Sequence, residues 1–145
     1  MTDVQPVRPY MQRLSTLTNI LEEKENNRQK ILDFMQNAPC ICFMKDSTTG
    51  KYEFVNKAFC DVEKLTLESV LGKTDWELFP LEQARLQTNY DLEVLKHKQS
   101  IIYITSRHDK LYILSKFLVV NGTISIGCFG LALPPLFTLE SKEAK

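Results

Sequence analysis

A chain of 145 residues with 43% hydrophobic and 25% charged side chains can build one domain around a proper core, since folding at that length removes roughly 68–70% of the exposed surface from water. Its 18 basic and 18 acidic side chains cancel, so no long-range field holds it on a phosphate backbone or an anionic bilayer, which argues against direct nucleic-acid binding. The apolar runs at residues 101–104 and 128–133 fall far short of the roughly 20 residues of a membrane helix.

Residues 1–12 contain Pro6 and Pro9 without periodicity and are expected to form an extended or disordered tail. They lack the basic start and apolar core of a secretory signal, so the chain is expected to stay in the cytoplasm. A helix is predicted over residues 13–36, where Leu14, Leu17, Leu21, Lys24, Arg28, Ile31 and Met35 form the seam of a heptad pattern. Residues 22–30 contain no apolar side chain, so the helix is either solvent-exposed there or broken in two. Two readings stand side by side. The segment dimerises or relays a signal through Leu14, Leu17, Leu21, Ile31 and Met35, or it caps its own domain.

The main domain is expected over residues 37–134, with a tail at 135–145. Pro39 ends the helix. Residues 40–46 and 51–56 read as a hairpin around a turn closed by Gly50. Asn56 is placed to cap a short helix at 57–62. A second helical turn at 67–71 stops at Gly72, and Thr74-Asp75-Trp76-Glu77 has the spacing of a capping box, in a helix that Pro80 keeps to about one turn. Residues 81–98 form the longest regular helix of the domain, with Ala84, Leu86, Leu92 and Leu95 as inward candidates. Three strands follow, at 100–106, 111–121 and 123–133, with the last two joined at Asn121-Gly122. Two strands, three or four helices and three strands make an α+β domain with an antiparallel sheet.

Cys40, Cys42, Cys60 and Cys128 have neither disulfide-framework nor zinc spacing and read as small buried hydrophobes. Cys40 and Cys42, two apart on a strand, face one side and could share a metal, but the further ligands are missing. His97 and His108 lie in the most hydrophilic stretches and read as solvated surface.

From residue 31 to 133 the chain resembles a PAS domain. The resemblance rests on Lys45-Asp46 before the Gly50 turn, on Phe54-Val55-Asn56-Lys57-Ala58-Phe59, on the run from Val70-Leu71-Gly72-Lys73-Thr74-Asp75 to Trp76-Glu77-Leu78-Phe79-Pro80, and on Ser115-Lys116-Phe117. It implies a five-stranded antiparallel sheet in the order 2-1-5-4-3 with helices on one face enclosing a pocket. Continuous apolar runs in the first and last strands imply that the other face is covered as well, and the N-terminal helix is the obvious cover.

That resemblance also frames the chemistry. Haem-binding members use a histidine in the long helix, where this chain has Gln87-Thr88-Asn89-Tyr90; His97 comes too late, so haem is not expected. Light-sensing members need a cysteine where this chain has Gly72-Lys73-Thr74-Asp75-Trp76, so a covalent flavin is not expected either. A loosely held flavin needs no cysteine, and the identity of any cofactor stays open. No base stands near a nucleophile and no phosphate loop is present, so no enzymatic activity is expected.

The expected ligand site is an apolar pocket between helices and sheet, lined by some of Phe43, Phe54, Phe59, Trp76, Phe79, Leu92, Ile102, Ile104, Leu114 and Phe117. Asn89, Tyr103, Tyr112 and Ser115 are its polar candidates, and Lys116 is expected to pair with Asp75. The function implied is a sensory domain that binds a small molecule and signals through a homodimer or a partner protein. The alternative is a filled-core interaction module, part of a transcriptional regulator or sensor-kinase system.

Overall fold

The computed structural model describes residues 4–23, 28–121 and 123–135. Among them are six helices, α1 (Val4–Glu23), α2 (Arg28–Asn37), α3 (Lys57–Glu63), α4 (Leu67–Val70), α5 (Asp75–Leu78) and α6 (Leu81–His97), and five strands, β1 (Ile41–Asp46), β2 (Tyr52–Val55), β3 (Ile101–Arg107), β4 (Lys110–Asn121) and β5 (Thr123–Ala132). The strands form one antiparallel sheet in the order β2-β1-β5-β4-β3.

Local chemistry sets many of the boundaries. Asn56 accepts from the Phe59 amide at 3.0 Å and starts α3. Glu77 Oε1 accepts from the Thr74 amide at 2.9 Å at the start of α5, the reciprocal contact of a capping box. His108 and Asp109 both have positive φ, as the two-residue turn between β3 and β4 requires.

The sheet is covered on both faces. Helices α3 to α6 lie on what we call the inner face, over Ile41, Phe43, Tyr52, Val55, Tyr112, Leu114 and Cys128. The outer face carries Cys42, Met44, Ile113, Phe117, Val119 and Phe129, which pack under Val7, Leu14, Ile31 and Met35 of α1 and α2. This double cover explains why five successive residues of β1, Ile41 to Lys45, are all buried.

The N-terminal segment departs from expectation at its start. Its first helix begins at Val4, so residues 4–12 are helical, not an extended tail. Pro6 falls in the first turn, where its amide would have no intrahelical partner, and Val7 and Leu14, seven apart, carry the seam back to the start. Of the two readings, dimerising or capping, the seam's placement is that of a cap: it faces inward onto the chain's own sheet. Leu14, Ile31 and Met35 are no more than 1% exposed against their own sheet, so as placed they are not free to form a dimer interface. The side chains of Leu17 and Leu21, and the whole of residues 24–27, lie outside the described residues.

In α6 the buried side chains are Ala84, Gln87 and Val94, while Leu86 and Leu92 are 41% and 56% exposed. The inward seam therefore runs 84, 87, 91, 94 and includes the carboxylate of Asp91.

Candidate functional site

Lys45, from β1, and Lys116, from β4, are among the largest fully buried side chains of the chain. The two ammonium groups meet two carboxylates. Lys45 Nζ donates to Asp75 Oδ2 and to Asp91 Oδ2, both at 2.6 Å, and Lys116 Nζ donates to Asp91 Oδ1 at 2.5 Å. Tyr52, from β2, donates its hydroxyl to Asp75 Oδ1 at 2.5 Å. Every oxygen of the two carboxylates thus accepts a hydrogen bond, and the four formal charges sum to zero. Phe43 lies between the lysines, its ring centroid 5.7 Å from each Nζ, within cation–π range.

Each group reaches the cluster for a local reason. The β4 alternation turns Lys116 inward between Ser115 and Phe117, which face outward. Asp75 opens α5 directly after its cap residue Thr74, where a carboxylate also favours the helix N-terminus. Asp91 occupies the third position of the α6 seam.

The environment separates the two lysines. Burial disfavours the charge on Lys45, but Asp91 and Asp75 outweigh it, and its pKa is raised. For Lys116 burial and the neighbouring Lys45 ammonium prevail over Asp91, and its pKa is lowered. Tyr52, buried and with Asp75 beside its hydroxyl, is pushed well above the usual phenol value, burial being the larger cause.

The expected apolar pocket is divided by this geometry. Phe43, Phe59, Phe79, Tyr112 and Leu114 belong to the inner core, with the Phe43 and Phe59 rings 5.5 Å apart edge to face. Phe54, Ile102 and Phe117 pack in the outer core instead. Ser115 faces α1, its hydroxyl 2.9 Å from that of Thr18, and Ile104 is opposite Ile113 and 47% exposed. The reason is the two-residue period of a strand: Leu114 and Ser115 cannot share a face. Asn89 is exposed. Lys116 pairs with Asp91, not with Asp75 as expected, because Asp75 is taken by Lys45 and Tyr52. Tyr103 is on the inner side, donating to Gln87 Oε1 at 3.1 Å.

Little space is left at the centre. The void bordered by Ile41, Phe43, Phe59, Gln87 and Leu114 measures about 20 Å³, room for roughly one water. A larger cleft of about 190 Å³ opens between the β1–β2 turn and helices α5 and α6. Trp76, Leu92 and Leu95 form its apolar wall, Thr74 and Thr88 contribute hydroxyls, and Asp75 and Asp91 line it, so the cleft leads onto the buried charges. Trp76 and Leu92 are thus cleft residues, half exposed, not core.

Other polar groups stand apart from this site. His97 and His108 are about half exposed, each facing a glutamate. Among the described residues no three His, Cys, Asp or Glu side chains converge as a metal would require. Nor is any described helix long and apolar enough to cross a membrane.

With this geometry in view, the comparisons with known proteins are specific. A family model described as the PAS fold matches residues 35–131. Among solved structures, the PAS domain of BvgS from Bordetella pertussis is similar at a TM-score of 0.65 and 18% identity, over 79% of this chain and 91% of that one. A sensory box histidine kinase from Vibrio cholerae gives 0.58 and 15%, over 81% and 97%. VqmA of the same organism, bound to DPO, gives 0.59 and 20%, over 72% and 57%. No curated protein matches the sequence.

Proposed function

We propose, from the premise that this chain belongs to the PAS-fold family of sensory domains, that it reads its signal at the Lys45–Asp75–Asp91–Lys116 cluster through a small polar ligand held in the adjoining cleft. One observation carries the reading. Three buried charges from β1, α5 and β4 meet the partly buried Asp91 of α6 beside a cleft that reaches two of the four. Such a cluster is weak as a source of stability, since apolar residues of the same volume serve as well or better. It is well suited to a switch, because a ligand that competes for any carboxylate or ammonium changes how both helices sit on two strands. The cleft is smaller than the roughly 300–1,000 Å³ of drug-sized sites, which favours a small metabolite. VqmA, of similar fold, is bound to DPO.

The output in this reading is the outer face, where α1 and α2 rest on the same strands. A homodimer or a signalling partner would then engage these helices, as an element of a transcriptional regulator or a sensor-kinase system.

A second reading is favoured by the 20 Å³ central void: a filled-core module that works through protein contacts alone. Thermal denaturation against a panel of polar metabolites, repeated on Leu92→Trp to fill the cleft, separates the two. A rise in Tm that Leu92→Trp abolishes supports the ligand reading. If no metabolite shifts Tm and native mass spectrometry finds the purified chain empty, the filled-core reading stands.

A further inference from the structure

The cleft beside the charge cluster is one-sided in charge. Asp46, Asp75 and Asp91 all line it, and among the described residues that do so there is no lysine, arginine or histidine. The two ammonium groups of the cluster stand behind the carboxylates: the side chains of Lys45 and Lys116 are 1% and 0% exposed, that of Asp91 14%. A molecule entering the cleft therefore meets carboxylate oxygen before it meets either ammonium. The rest of the wall is apolar or neutral. Trp76 and Leu92 are both half exposed along it, as side chains that a bound organic group would cover. Trp76 also offers the ring that attracts cations most strongly. The hydroxyl of Thr88 lines the cleft as well and can accept from an ammonium, which has three N–H donors to place.

We propose that the cleft takes a small organic amine in its cationic form, whose ammonium binds Asp91 Oδ2 while its apolar body covers Trp76 and Leu92. This assignment rests on the cleft being the input site. The cluster can accommodate the exchange. Lys45 donates to both Asp75 Oδ2 and Asp91 Oδ2, so it keeps one carboxylate when it yields the other, and Lys116 keeps Asp91 Oδ1. Asp46, whose Oδ2 accepts from the Thr49 amide and hydroxyl at 2.8 Å, adds a third carboxylate on the side from which the amine arrives. An anion would be repelled by the same three groups, and a neutral molecule would lack the charge-assisted bond.

Volume sets the size. An apolar cavity of roughly 150 Å³ holds benzene, so about 190 Å³ suits a ring or short branched chain carrying one amino group. Binding also carries a signal, since releasing Lys45 from Asp91 removes the ion pair that ties β1 to α6.

Trp76 is the only tryptophan of the chain, so its fluorescence reports on this cleft. The test titrates the whole chain with benzylamine, benzyl alcohol and benzoate, one ring carrying in turn a cation, a neutral group and an anion. Benzylamine should change the Trp76 emission saturably and raise Tm, with the other two weaker by about tenfold or more, the effect of one hydrogen bond to a charged group. Asp91→Asn should weaken benzylamine by a similar factor. Asp46→Asn, which leaves the four-charge cluster intact, should weaken it by a smaller one, and unchanged affinity in that variant overturns the assignment. Benzyl alcohol or benzoate binding as tightly as benzylamine overturns it too, while leaving the cleft as a ligand site. If none of the three moves the emission or Tm, the amine assignment fails, whether or not the panel of polar metabolites finds another occupant for the cleft.

Discussion

Ser115 and Lys116 are consecutive residues of β4 with opposite allegiances: Ser115 meets Thr18 of α1 across 2.9 Å on the outer face, while Lys116 binds Asp91 of α6 at 2.5 Å on the inner one. A single strand segment therefore touches the candidate input site with one side chain and the N-terminal helix with the next. Since a strand residue cannot move without its neighbour, changes at the cluster should be felt at α1.

That link is measurable as a double-mutant cycle of Thr18→Val and Asp91→Asn, read by urea denaturation. Independent sites add to within about 0.3–0.5 kcal/mol, whereas coupled ones deviate by roughly 0.5–3 kcal/mol. We expect a deviation in the coupled range. Additivity would mean that β4 does not join the two faces energetically.

Removing one member of the charge cluster should cost far more than removing the set. Asp91→Ala leaves Lys116 without its carboxylate and Lys45 with one of two, and the expected loss is about 3–5 kcal/mol. Lys45→Met, Lys116→Met, Asp75→Leu and Asp91→Leu combined should cost far less, or even stabilise. The comparison needs only two denaturation curves, and a combined variant less stable than Asp91→Ala would contradict it.

Alkaline pH should unfold the chain early, with a defined sign. Tyr52 and Lys45 are both raised from ordinary values of 10.0 and 10.5, so above about pH 10 the folded state holds protons that the unfolded chain has released. Stability is then lost as pH rises toward their folded pKa values. Lys116, lowered from 10.5, acts in the opposite sense over the range below that value. Tyr52→Phe isolates the phenol: its Tm should fall less steeply from pH 10 upward than that of the wild-type chain. An identical slope would show that Tyr52 does not contribute.

Asn56 is expected to be the most sensitive small polar residue. Besides capping α3 it accepts from the Cys42 amide and donates to the carbonyls of Met35 and Cys40, so it joins α2, β1 and α3. Asn56→Ala loses a cap worth roughly 1 kcal/mol and strands buried backbone groups at about 1–3 kcal/mol. A loss on the order of 3 kcal/mol is expected by denaturant titration. Asn56→Asp should keep the cap while losing the two donor contacts, and a variant as stable as wild type would show those contacts to be unimportant.

What the amino-acid sequence determined by itself was the local layer: the order of strands and helices, the Gly50 turn, the Asn56 cap and the Thr74–Glu77 box, while Gly122 of the expected Asn121-Gly122 turn lies outside the described residues. Each of these depends on residues only a few positions apart, whose geometry sequence spacing already encodes. Tertiary structure alone decided which side chains share a face and which charges are buried. Leu86 and Leu92 look like the inward stripe of α6, yet the stripe runs through Gln87 and Asp91, because Tyr103 and the two lysines are there to receive them. Lys45, Asp75, Asp91 and Lys116 are distant in the chain, and a charged residue ordinarily reads as surface. Their burial becomes favourable only when all four arrive together, and that is a property of the fold.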